Sequence, residues 1–160
     1  MKNLIKVAFL FVVAVIAFAS CSKDQKCVNW LEGADWKITK LEVTDSNAVT
    51  ADMLAQFTAQ GLTFNGKLVF DKYSVKNDES GNVTTYTDVT GTVFGFPVDE
   101  KDTTVATYRI EDDCTTVWMK ETGATEGSTS EILEASKTKM VISEYDATEK
   151  ATTKITIEKQ

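Results

Sequence analysis

The chain has 160 residues, with 17 Lys or Arg, 24 Asp or Glu and no His, so its formal net charge is −7 at pH 7. That balance argues against nucleic acid, whose binding needs clustered cations to displace counterions. The lack of histidine removes the commonest general base and the commonest transition-metal ligand, so neither a metal site nor a cofactor is expected.

The N-terminus has three parts. Lys2 and Lys6 precede an uninterrupted apolar run from Val7 to Ala19, and the small Ser20 leads into Cys21. A basic start, an apolar middle and a small-residue cleavage site make a secretory signal peptide. The run is short of the roughly 20 residues a transmembrane helix needs. Phe18-Ala19-Ser20-Cys21 resembles the lipobox of bacterial lipoproteins. The resemblance implies cleavage before Cys21, a diacylglyceryl group on its sulfur and acylation of the new amine. Each buried CH₂ contributes about 0.8 kcal/mol, so two or more chains hold stably. Ser22-Lys23-Asp24 is similar to the start of lipoproteins of the Bacteroides group. That implies an outer-membrane lipoprotein, facing the periplasm or the cell surface.

On this reading residues 1–20 are a signal peptide, 21–29 a lipidated tether and 30–160 one domain. Without the two lysines of the signal, the mature chain keeps 15 basic and 24 acidic residues, net −9. Its hold on a membrane must therefore come from lipid, not from charge. Two cysteines remain in the domain, Cys27 and Cys114. Outside the cytoplasm they form a candidate disulfide. Two separate buried thiols are the alternative, and spacing alone leaves both open.

Strand signals dominate the domain: Thr, Val, Ile, Tyr and Phe runs separated by Gly, Asn and Asp. Asp35–Val43 reads as the first strand. Its apolar positions shift phase between Ile38 and Leu41, which predicts a bulge near Thr39-Lys40. Thr50–Gln60 reads as the one helix, capped by Thr50 and stopped by Gly61, with Met53, Leu54 and Phe57 on one face over a core. Strands follow at 62–70 and 73–76, with a turn at 77–82. Val83–Phe96 reads as one long strand, and Asp99–Asp102 as a turn. Thr103–Ile110 and Thr115–Lys120 form a hairpin, Thr122–Ser130 a soft loop, and strands at 131–135, 138–145 and 151–158 close the chain. Eight or nine evenly spaced strands without a βαβ rhythm predict an all-β antiparallel sheet, closed as a barrel or folded as a sandwich.

Gly33-Ala34-Asp35-Trp36-Lys37-Ile38 resembles the opening of lipocalin-like domains, where a Gly and a Trp precede the first strand. Leu68–Tyr73, Thr107–Ile110, Ile132-Leu133 and Met140–Ile142 are similar to later strands of that family. The resemblance covers roughly residues 30–158 and implies an eight-stranded β-barrel. True lipocalins pack an arginine on that Trp; the one arginine, Arg109, lies too early in the chain for that place. No binding residue is carried over.

Such a barrel is just wide enough to be filled by side chains or to hold one small ligand. Two stripes, Ala106-Tyr108-Ile110 and Tyr86-Phe94-Phe96, read as core, as do Trp30 and Trp118. The acid pairs Asp78-Glu79, Asp99-Glu100 and Asp112-Asp113 read as solvated turns, not as facing catalytic carboxylates. The expectation is a non-enzymatic, lipid-anchored binding protein for a small apolar molecule or a glycan fragment. The competing expectation is a structural subunit that docks an envelope protein and has a filled barrel.

Overall fold

The computed structural model describes residues 23–160; the signal segment and Cys21 lie outside them. In chain order the elements are α1 (Lys23–Leu31), β1 (Asp35–Thr44), β2 (Thr50–Asp52), α2 (Met53–Ala59), β3 (Leu62–Phe70), β4 (Gly81–Val93), β5 (Phe96–Glu111), β6 (Thr116–Glu121), β7 (Ser128–Ala135), β8 (Lys139–Asp146) and β9 (Ala151–Lys159). The strands join one antiparallel sheet, in which each strand from β3 onward pairs with the next. β9 then returns to pair with β1 along almost its whole length. Eight strands thus close into the expected barrel. β2 pairs only with the end of β1 and stands outside the ring. Every strand of the ring thus has a partner on both sides, although β1 and β3 pair only where Asp35–Lys37 meets Lys67–Val69.

Period-two alternation sets which side chains enter. Ala106, Tyr108 and Ile110 are buried, while Val105 between strand neighbours faces out. The phase change in β1 is accommodated as expected: its register against β9 shifts between Ile38 and Lys40. The extra residue lets Trp36 and Ile38 before it, and Leu41 after it, all pair with the inward positions of β9.

Several expected boundaries are corrected, each for an identifiable reason. There are two helices among the described residues, not one. The segment read as a tether is α1, and Cys27, Val28 and Leu31 on its inner face are fully buried. The packed domain therefore includes residues 23–29, which were expected to be tether. Thr50–Asp52 is strand, because it pairs with Glu42–Thr44. Asp52, not Thr50, caps α2 by accepting from the Leu54 and Ala55 amides at 3.0 and 3.1 Å. α2 packs beside β1 and β3, where those strands part, and its Phe57 stacks on Phe64 with ring centroids 5.9 Å apart. Residues 73–76 form no strand. The Gln25 side chain instead accepts from the Val75 amide at 2.8 Å and donates to the Tyr73 carbonyl at 3.3 Å. The backbone there pairs with α1 and not with a neighbouring strand. β7 begins at Ser128, inside the segment read as a loop.

The turn expected at Asp99–Asp102 lies instead at Phe94-Gly95. β4 and β5 pair without a break from Gly81↔Tyr108 to Val93↔Phe96, leaving a two-residue connection. Phe94 and Gly95 have φ of 51° and 84°, the left-handed geometry that suits a right-twisted hairpin. Gly95 adopts it freely, but Phe94 does not. Phe94 is also 97 % exposed, so its ring makes no compensating contact. Phe94→Asn is expected to stabilise the fold by about 1 kcal/mol, since Asn tolerates this conformation at far lower cost. A rise in the urea midpoint with an unchanged slope checks it; a fall would mean that the ring is held by something unseen here.

Candidate functional site

The barrel is hollow. Its interior holds a cavity of ≈ 560 Å³, within the usual range for small-ligand sites. One end is sealed. α1 lies across it, placing Leu31 against the deep wall formed by Phe70, Ile110, Met140 and Ile157. Besides the Gln25 contacts, four further links hold α1 in place. The Trp36 indole donates to the Leu31 carbonyl at 2.8 Å, and the Cys114 amide donates to the Asp24 carboxylate at 2.6 Å. Lys159 donates to the Trp30 carbonyl at 3.2 Å. Cys27 and Cys114 are joined as a disulfide, with Cα atoms 6.2 Å apart.

Two tyrosines reinforce the sealed end. Tyr108 donates to the Asp71 carbonyl at 2.8 Å, and Tyr73 accepts from the Ile110 amide at 2.7 Å. Their rings meet edge to face at 5.2 Å, and Phe70 meets Tyr108 the same way at 5.1 Å. Burial pushes both hydroxyls above the usual phenol range, so these phenols stay protonated and act as structural hydrogen-bonding groups.

The other end is open. Above a belt of Ile38, Leu68, Val83, Val117, Ile142 and Ile155, the lining turns polar at Thr85, Thr104, Ser128 and Thr153. Exposed Glu121, Glu126 and Glu144 complete this rim. The β4–β5 hairpin continues past it to the Phe94-Gly95 tip. One polar group sits deeper. Ser130 is 2 % exposed, lies between Ser128 and Ile132 on the inward face of β7, and its hydroxyl has no partner within the protein.

The expected core stripes separate. Ala106 and Ile110 line the cavity, and Tyr108 supports its sealed end. Tyr86, Phe94 and Phe96 are not core: they are 42 %, 97 % and 75 % exposed. Tyr86 falls on the outward phase of β4, and the two phenylalanines flank the hairpin tip. Trp30 packs against the core. Trp118 lies half-buried on the outer wall, with the Arg109 guanidinium 4.1 Å from its ring. The three acid pairs do not line the cavity. Asp78 accepts from the Ser74 amide, Asp99 pairs with Lys101, and Asp112 and Asp113 sit in the β5–β6 turn beside Thr116 and Lys23. No group of three or more His, Cys, Asp or Glu among the described residues is placed to hold a metal ion. No helix among them is long and apolar enough to cross a membrane.

Sequence reading missed the rim and Ser130. Alternation of Ser128, Ser130 and Ile132 was the available signal, but the Gly, Thr and Ser around it read as a loop.

No protein-family model and no curated protein matches this chain. Among solved structures, it is similar to a redesigned β-barrel, at 14% identity and a TM-score of 0.41 over 84% of this chain and 95% of that one. The fold assignment rests on the closed strand ladder itself.

Proposed function

We propose that this protein is a lipid-anchored binding protein of the cell envelope, not an enzyme, and that it holds one small apolar molecule inside its barrel. A single observation carries the reading: a ≈ 560 Å³ cavity, sealed at one end and lined mainly by aliphatic side chains. A filled barrel, which a purely structural subunit would have, is not what the chain forms. The aliphatic lining also favours an apolar guest over a glycan, whose hydroxyls would need many more polar partners than the cavity wall offers.

The lipocalin-like resemblance is supported by the surroundings of Trp36. The ring is fully buried, and the Lys159 ammonium stands 5.9 Å from its centroid. A cation from the last strand thus occupies the place that the family gives to arginine. The anchor has a geometric consequence. The described chain begins at Lys23, on the sealed side, where Lys23 pairs with Asp113. A lipid on Cys21 lies within about 8 Å of chain from there. The sealed end would face the bilayer, and the mouth would open away from it.

A neutral probe that brightens in apolar surroundings, N-phenyl-1-naphthylamine, tests the cavity. The domain from residue 22 onward is expected to brighten it with one site per chain, and Ile142→Trp, which fills the belt, is expected to abolish the signal while the fold persists. Unchanged brightening in that variant would put the probe on the outer surface and reject the reading. For the anchor, the full chain should partition into the detergent phase and Cys21→Ser into the aqueous phase; equal partitioning of the two would sink that half.

A further inference from the structure

The ionisable side chains along the cavity wall are of one sign. Three carboxylates, Glu121, Glu126 and Glu144, stand at its mouth, and no Lys or Arg lines it at any depth. Lys154 precedes inward Ile155 on the opposite face of β9, and Lys120 lies between Met119 and Glu121, which line the cavity, on the opposite face of β6. The chain after residue 20 has 15 Lys or Arg against 24 Asp or Glu, so the background charge on which the three rim carboxylates are superimposed is also negative. An anionic amphiphile would bury its tail only by holding its head among three like charges. A cation gains from each of them.

Ser130 supplies an independent sign that the site expects a polar atom. Ser130 is one of the residues lining the cavity, and its hydroxyl is buried and unsatisfied by any protein group. A buried hydroxyl left unpaired is costly, so native interiors give such groups a partner.

We infer that the ligand is a cationic amphiphile: an apolar body in the belt, a protonated amine among Glu121, Glu126 and Glu144, and a hydrogen-bonding atom within the body that meets Ser130. This rests on the proposed binding function and sharpens it to a ligand class. The selection for charge weakens with salt, because the rim is open to solvent.

Dodecylammonium, dodecanol and dodecanoate, below their micelle concentrations at pH 8 and low salt, displace the naphthylamine probe in the test. The expected order is ammonium, alcohol, carboxylate, with about tenfold between successive members, from Coulomb attraction or repulsion across a half-exposed mouth. The Glu121→Gln, Glu126→Gln, Glu144→Gln triple variant changes only exposed side chains. It is expected to bring the three ligands within about twofold of one another while leaving dodecanol unchanged. Equal displacement in the unmodified protein, or a preference for the carboxylate, overturns the charge selection but leaves the cavity reading intact. Displacement by none of the three removes the cavity reading and this inference with it. For Ser130, ω-amino alcohols of six to twelve carbons are compared with the plain amines of equal length. One length is expected to gain several-fold over its plain amine, and Ser130→Ala to erase that gain. A series with no such optimum would mean that the Ser130 hydroxyl faces water.

Discussion

Reduction of the Cys27–Cys114 bond is expected to lower folding stability by roughly 4 to 5 kcal/mol. The bond closes a loop of 87 residues, and the loop-entropy relation gives about that figure for a closure of this length. Small domains have only about 5–15 kcal/mol in total, so a third or more of the margin depends on one bond. The loss is sited at the sealed end. Cys114 ends a run of three left-handed residues, Asp112, Asp113 and Cys114, with φ of 56°, 60° and 66°. None is glycine, so each carries a conformational cost. The turn is held in that shape by the disulfide, by Asp24 on the Cys114 amide and by Asp112 on the Thr116 hydroxyl. In urea, reductant should lower the midpoint and steepen the slope, because the reduced denatured chain exposes more surface. A Cys27→Ala, Cys114→Ala variant should match the reduced protein and ignore reductant. An unchanged midpoint on reduction would mean that α1 is held by its packing alone.

Trp36→Ala is expected to cost about 3–5 kcal/mol, the range for deleting a large buried aromatic. Trp36 is fully buried and pairs with Leu68 in β3 and Lys159 in β9, so it stands where the barrel closes on itself. Its indole nitrogen also holds the last carbonyl of α1. The deletion therefore opens a void at the sealed end and frees the helix that seals it. Trp36→Phe keeps most of the volume, losing that hydrogen bond and a smaller part of the packing, for about 1–3 kcal/mol. Hydrogen exchange distinguishes this from a uniform loss: amides of α1 should lose protection before those of β8 and β9 in Trp36→Ala. Uniform exchange across the domain would show that Trp36 serves the whole core and not the seal.

The two effects share a cause that was only half legible in sequence. Trp36 and the two cysteines stood out by type, and the bulge after Ile38 could be read from a shift in the apolar phase. The helix between Cys21 and Trp36 was hidden. Its exposed face, with Lys23, Lys26 and Asn29, resembles a hydrophilic linker, and the apolar Cys27, Val28 and Leu31 are too few to announce nine residues of helix. The turns failed in a related way. Asp99 to Asp102 is rich in turn formers, yet it lies within β5, because a continuous ladder against β4 outweighs local preference. Phe94 is a poor turn residue that the same ladder forces into place.

The sequence by itself determined the class of fold. Alternation, β-branched content and regular turn spacing are local properties, and they were enough to specify an antiparallel all-β sheet of eight or nine strands; they left barrel and sandwich open, and the barrel was implied by the lipocalin-like resemblance. That the sheet closes on itself, that the barrel is hollow, which end is sealed and what rings its mouth emerge only once the chain is folded. Hollowness depends on the summed volumes of side chains from eight strands, which no single segment records. The seal depends on α1 meeting a turn some 87 residues away. Glu121, Glu126 and Glu144 become one rim, and Ser130 one buried hydroxyl, only when β9 returns to β1 and turns alternating faces into an inside and an outside.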